Sequence, residues 1–146
     1  MDIKDIKGKI TTLSLIFGLL FTISGIIEIT IGICSILGFE IKLPLFAGDA
    51  FGGLSLLAIG ITYFLGVKKA LSEDIRAVSY LFTASIVGLG IGIIAFLLLI
   101  SNAMGFLLGF EDWEDWSIFS NLNVYLILGI LAIIPYKIAK IIQSTT

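Results

Sequence analysis

Residues 10–37 read ITTLSLIFGLLFTISGIIEITIGICSIL, and this stretch decides the class of fold. Its one charged side chain is Glu28. As a helix rising 1.5 Å per residue it would reach about 42 Å, enough to cross a bilayer core of about 30 Å with tilt. Lys4, Lys7 and Lys9 precede it like the basic region of a secretory signal. The apolar run is, however, about twice the length of a signal core, and no A-x-A-like site follows it, so a retained first span is expected.

Further apolar blocks lie at about 50–67, 77–100 and 118–142. Over the 146 residues, 58% are hydrophobic and 14% charged, and the mean hydropathy is +1.14. A soluble domain carries roughly 25% charge. The expected fold is therefore all-α: one polytopic domain of four transmembrane helices in a compact bundle. There is no histidine and a single cysteine, Cys34, within the first apolar block. A zinc centre, a haem ligand, a Ser-His-Asp or Cys-His nucleophile and an internal disulfide are thus unavailable, and no cofactor is expected. Cys34 reads as a small packing residue.

Eight of the nine basic residues fall before span one, between spans two and three (Lys68, Lys69, Arg76) or at the end of span four (Lys137, Lys140); Lys42 alone lies opposite. The positive-inside rule then puts both termini and the middle loop in the cytoplasm of a cell membrane. In that loop, Ser72 followed by Glu73 and Asp74 resembles a helix start with Ser72 as cap. Between spans one and two, Pro44 marks a stop or turn.

Residues 102–117 hold both tryptophans. Phe106, Phe110, Trp113 and Trp116 recur at spacings of four, three and three, which predicts a short amphipathic helix anchored in the outer headgroup layer. The intervening Glu111, Asp112, Glu114 and Asp115 form its acidic rim. They are only a weak candidate for a divalent cation, because the alternating ligands and turn glycine of a calcium loop are missing.

Leu20 to Ser24 matches Leu81 to Ser85 at an offset of 61, and Gly60-Ile61 matches Gly129-Ile130 at an offset of 69. Duplication of a two-helix hairpin would account for both. The hairpin pattern Gly25-Ile26, Gly32-Ile33, Pro44, then Gly60-Ile61 through Lys69-Ala70-Leu71, resembles the repeat unit of the HdeD-like acid-resistance membrane proteins. The resemblance covers spans one and two, about a third of the chain. It implies an envelope or stress role and carries over no catalytic residue. Members of that family usually have more spans, and Glu28 departs from their pattern.

Small residues form stripes at heptad-like spacing. In span one the stripe is Ser14, Gly18, Phe21, Gly25, Glu28, Gly32 and Ser35; Gly48 and Gly52 open a second in span two; Ala84, Gly88 and Gly92 form a third. Such residues let helix backbones approach, within one bundle or between copies. Glu28 on the first stripe should point into the bundle. A bare carboxylate at membrane depth costs at least about 2.5–3.5 kcal/mol, so it is expected to carry a proton or to be paired. No lysine or arginine lies at its depth, which leaves Ser24, Asn121, Asn123, a carbonyl or water as partners. It serves either as interhelical glue, as a proton or cation site, or as a docking point for a larger complex. Four spans with a membrane glutamate in the first also resemble, in architecture alone, the small multidrug resistance transporters.

These readings give a small integral membrane protein of envelope, stress or accessory role without enzymatic activity. The alternatives are a minimal transporter that uses Glu28 and a scaffold subunit. Its expected partners are the lipid bilayer and either further copies of itself or a larger membrane complex, and no nucleic acid.

Overall fold

The computed structural model describes residues 3–145; the side chain of Lys4 lies outside the described set. The elements are α1 (Ile3–Ile36), α2 (Ala50–Leu71), α3 (Ala77–Leu107), α4 (Val124–Leu131) and α5 (Ile133–Thr145). Two 3-10 turns, Glu111–Trp113 and Ile118–Asn121, lie between α3 and α4, and no strand occurs among the described residues. Four segments are long and apolar enough to cross a membrane, α4 and α5 together making the fourth. The break between them follows from Pro135, which is fully buried and cannot donate to the carbonyl of Leu131 four residues back.

Three helices end on the same device. Gly38 (φ 85°), Glu73 (φ 58°) and Gly109 (φ 70°) take the left-handed conformation just past α1, α2 and α3. In each case the next residue's N–H reaches back five residues, as in Phe39 to Cys34, Asp74 to Lys69 and Phe110 to Gly105. This is the Schellman geometry, which satisfies orphan carbonyls at a helix end. It overturns the helix start expected at Ser72: Ser72 closes α2, and α3 begins after Arg76 without a side-chain cap. Asp74 accepts from Arg76 N and Nε, both at 3.0 Å, and from Lys69 Nζ at 3.0 Å, so its carboxylate organises the loop instead of a helix N-terminus. Lys7 reaches the same loop through Glu73 at 3.0 Å.

α1 and α2 form an antiparallel hairpin at backbone contact. A Cβ on Gly25 would stand 2.7 Å from the carbonyl oxygen of Gly53, and one on Gly32 would stand 2.7 Å from that of Gly48. Gly60 is pressed against Thr22. α3 and α4 pair the same way, with a Cβ on Gly92 only 2.6 Å from the Cα of Gly129. The stripes expected from sequence thus pack within one chain: Gly18 lies under the Phe64 ring, Gly88 faces Phe21 and Ala132, and Ala84 is buried. On α2 the face toward α1 carries Gly53 and Gly60, while Gly52 is turned toward Tyr125 and Asp49. Between the hairpins sits an aromatic and aliphatic core: Phe17 and Phe21 against Tyr63, with Leu56 and Leu81. Tyr63 and Ser85 share a buried hydrogen bond of 3.1 Å.

Simple duplication would place Gly129 against Thr83, as Gly60 is against Thr22. Gly129 meets Gly92 instead, so the two hairpins do not repeat each other's contacts. The segment 102–117 also differs from a single amphipathic helix. α3 runs on to Leu107, Gly109 turns the chain, and the two 3-10 turns follow. Trp113 packs on Gly105 and donates to Asn102 at 3.2 Å, while Trp116 lies 5.8 Å from Phe106, centroid to centroid. Phe110 stands 6.2 Å from Trp113. The rings therefore pair among themselves and with the end of α3.

Candidate functional site

The segment 37–49 does not pass straight from α1 to α2. It folds back so that α2 begins beside Gly32, about 6 Å (four residues) short of the end of α1, with residues 47–49 beside Glu28. Pro44 turns the chain, with Phe46 N donating to Leu43 O at 3.3 Å. Pro44 fits the second position of such a turn; Leu45 fills the third with φ 72°, a conformation that costs a leucine about 1–3 kcal/mol. That cost is offset by what the turn presents. The carbonyl of Leu45 accepts from Val124 N at 2.9 Å, joining the segment to the start of α4.

Glu28 receives the other side of it. Its Oε1 accepts from Ala47 N at 3.2 Å, and its Oε2 accepts from Gly48 N at 2.7 Å and Asp49 N at 2.9 Å. The side chain is fully buried. These donors are the last N–H groups before α2, so the carboxylate also stands at the positive end of that helix dipole. Unpaired backbone at membrane depth is tolerated only where protein satisfies it, and Glu28 does so for this segment. Gly48 adopts φ 73°, which lets three consecutive N–H groups converge on one carboxylate.

The side chains expected beside Glu28 have other tasks. Ser24 is buried a turn earlier on α1. Asn121 accepts from Trp116 Nε1. Asn123 caps α4 by accepting from Leu126 N at 2.9 Å. The residue that does approach is one the sequence reading passed over. Tyr125 stands beside both Glu28 and Asp49. Its hydroxyl is buried against them. Gly52 makes room for it, since a Cβ there would fall on that hydroxyl and within 2.6 Å of Asp49 Oδ2. A tyrosine one residue into a span gives little signal in sequence; the open position at Gly52 was the available clue.

Asp49 itself caps α2, its Oδ1 accepting from Phe51 N at 3.0 Å. Glu111, Asp112, Glu114 and Asp115 remain exposed in the stretch between α3 and α4. Among the described residues no three acidic or cysteine side chains gather closely enough to hold a metal ion. Cys34 is a free, half-buried thiol near the end of α1.

The model of the MJ0565 integral membrane domain matches residues 4–141, nearly the whole chain. The chain belongs to this family. Over 146 residues it is 73% identical to "Uncharacterized protein MJ0565" of Methanocaldococcus jannaschii, with 100% of this chain and 99% of that protein covered. No solved structure matches the chain. Membership in the MJ0565 family establishes an integral membrane protein and agrees with the four-span bundle.

Proposed function

We propose that this MJ0565-family protein is a non-enzymatic accessory component of the cell membrane, with both termini cytoplasmic, and that Glu28 is a structural pin. One observation carries the reading: the carboxylate is already engaged by the N–H groups of Ala47, Gly48 and Asp49. A coupled transporter built on Glu28 would have to release those three bonds in each cycle and leave the N–H groups unpaired at membrane depth, at about 1–3 kcal/mol each. As a pin, the same carboxylate fixes an outer surface that partners can recognise. The HdeD-like resemblance of spans one and two supports an envelope or stress setting for such a component.

The test is reconstitution into liposomes loaded with a pH-sensitive dye, with a pH gradient imposed. Wild type and Glu28→Gln are both expected to match protein-free vesicles. Proton flux present in wild type and lost in Glu28→Gln would overturn the reading. The accessory role further predicts that mild crosslinking in native membranes captures the chain in an assembly larger than a monomer, and a purely monomeric product would count against it.

A further inference from the structure

In the connection between α1 and α2, Phe39, Ile41 and Leu43 alternate with Glu40 and Lys42. A period of two marks a strand with one apolar and one charged face. Residues 39–43 run without helix, turn or bend from the end of α1 to the turn at Pro44, and none of them takes a positive φ. Exposure follows the same alternation: Ile41 and Leu43 are 44% and 46% exposed, whereas the side chains of Glu40 and Lys42 are 83% and 90% exposed. Those two charges share a face, carboxylate and ammonium standing 3.7 Å apart.

This strand has no sheet. Successive residues of a strand present their N–H and C=O groups to opposite edges. Phe39 N donates to Cys34 O, and Leu43 O accepts from Phe46 N, so the edge of the odd-numbered residues is tied to the protein. The other edge carries the N–H and C=O groups of Glu40 and Lys42, and these have no partner among the described residues. An open edge of this kind is a template for another strand.

Charge decides which strand fits. Antiparallel pairing with a second copy across a two-fold axis at Ile41 sets Glu40 opposite the Lys42 of that copy, and Lys42 opposite its Glu40. It uses the free N–H and C=O groups of both chains. The neighbouring registers that keep the apolar residues on one face set Glu40 against Glu40 or Lys42 against Lys42, and like charges directly opposite are destabilising. The two-fold axis of an antiparallel ribbon is perpendicular to its plane. With the ribbon flat on the membrane, apolar face down, that axis is the membrane normal, and both bundles keep one orientation in the bilayer.

We propose that residues 39–43 are a homodimerisation strand, through which two copies of this chain join in an antiparallel ribbon centred on Ile41. The backbone of Glu40 and Lys42 supplies its hydrogen bonds, and their side chains cross-pair on its charged face. The proposal rests on the accessory reading and deepens it by naming a second copy as the partner.

The experiment is disulfide crosslinking of the full chain in native membranes, in a Cys34→Ala background. Ile41→Cys should link to itself under mild oxidation, because facing residues at a non-hydrogen-bonded position have Cα atoms about 4.5 Å apart, within disulfide reach. Phe39→Cys should not link to itself, since the two positions lie about 13 Å apart along the ribbon, but should link to Leu43→Cys on a co-expressed chain. Phe51→Cys, at a position 82% exposed on α2, gives the background rate. Adding Glu40→Lys or Lys42→Glu to Ile41→Cys should cut the linked fraction by about fivefold or more. Co-expressing those two chains should restore it, because one then carries two lysines and the other two glutamates, and recovery on mixing excludes misfolding.

The proposal is overturned if Ile41→Cys links no faster than Phe51→Cys, if Phe39→Cys links to itself as fast as Ile41→Cys, or if mixing gives no recovery. Linkage of Ile41→Cys to a different polypeptide would assign the edge to another partner and also overturn it. A larger assembly captured without pairing at Ile41 would keep the accessory reading and remove the ribbon alone, whereas a chain that is monomeric under every reagent would remove both.

Discussion

Replacing Glu28 by alanine removes the acceptor of three N–H groups at once. Hydrogen bonds to a charged group contribute about 1.5–3 kcal/mol each. Against their sum stands the desolvation cost of the carboxylate, several kcal/mol, which alanine no longer carries. Removing one partner of a buried charged arrangement costs about 3–5 kcal/mol, and we expect Glu28→Ala to fall in that range. Glutamine has the same shape. Its amide oxygen can keep Gly48 and Asp49 at 2.7 and 2.9 Å, while its NH₂ must face Ala47 N–H and forfeit the longest bond, 3.2 Å. With that bond and the charge lost, the expected cost is about 1–2 kcal/mol. For a chain of this size each kcal/mol moves a melting temperature by about 2–4 °C, so alanine should lower it by about 6–20 °C and glutamine by about 2–8 °C. The assay is thermal unfolding in detergent, paired with amide exchange at residues 47–49, which should quicken in both variants. If Glu28→Ala melts within 2 °C of wild type with exchange unchanged, Glu28 does not hold the segment and the reasoning fails.

Two glycines of α3 give opposite expectations: Gly92→Ala places a Cβ 2.6 Å from Gly129 and should cost at least about 1–3 kcal/mol, whereas Gly90 has open space around it and Gly90→Ala should add about 0.5–1 kcal/mol. Thermal melts of the pair decide this, and equal shifts would contradict the backbone contact. In the loop between α2 and α3, hydrogen bonds from Arg76, then Lys69, hold the Asp74 carboxyl well below the usual carboxylate range. A depressed folded-state value contributes stability above the unfolded value of about 3.9 and loses it as pH falls. The stability advantage of wild type over Asp74→Asn should therefore be constant from pH 8 to 5 and shrink below about pH 4, and an advantage independent of pH would exclude this source. For topology, in a Cys34→Ala background a cysteine at position 42 should react with an impermeant maleimide from outside and one at position 73 only after permeabilisation; the reverse pattern would invert the orientation.

How much of this was legible from residues alone depends on whether the signal lay in side-chain character or in backbone geometry. The spans were legible because apolar blocks of twenty or more residues have few alternatives in water or lipid. Glu28 stood out for the same reason, as a charge in the wrong solvent. Its partners did not, since they are N–H groups, which every residue but proline carries. Only the return of segment 37–49 to the depth of Glu28 brings them there, and neither Pro44 nor Gly48 announces that return on its own. Ser72 misled because serine, glutamate and aspartate in a row satisfy the rule for a helix start, while the left-handed turn at Glu73 is unusual for that residue. The tryptophans lie at the end of α3, where the helix gives way to the two 3-10 turns. Their spacing suggested one helix because pairing of Trp113 with Gly105 and Trp116 with Phe106 is not periodic.

The position of the pin in the chain also bears on how the protein enters a membrane. Asp49, the last of the donors, lies 21 residues after Glu28. At about 5–20 residues per second, the first span exists for about 1–4 s with an unsatisfied carboxylate, before its partners have been synthesised. α1 alone is thus a poor unit of integration, and the smallest piece that can settle in lipid is the hairpin of α1, the folded-back segment and the start of α2. A ribosome stalled where α1 has cleared the exit tunnel but the 47–49 segment has not should leave the nascent chain extractable by alkali, and one stalled far enough downstream for that segment to have cleared the tunnel should not.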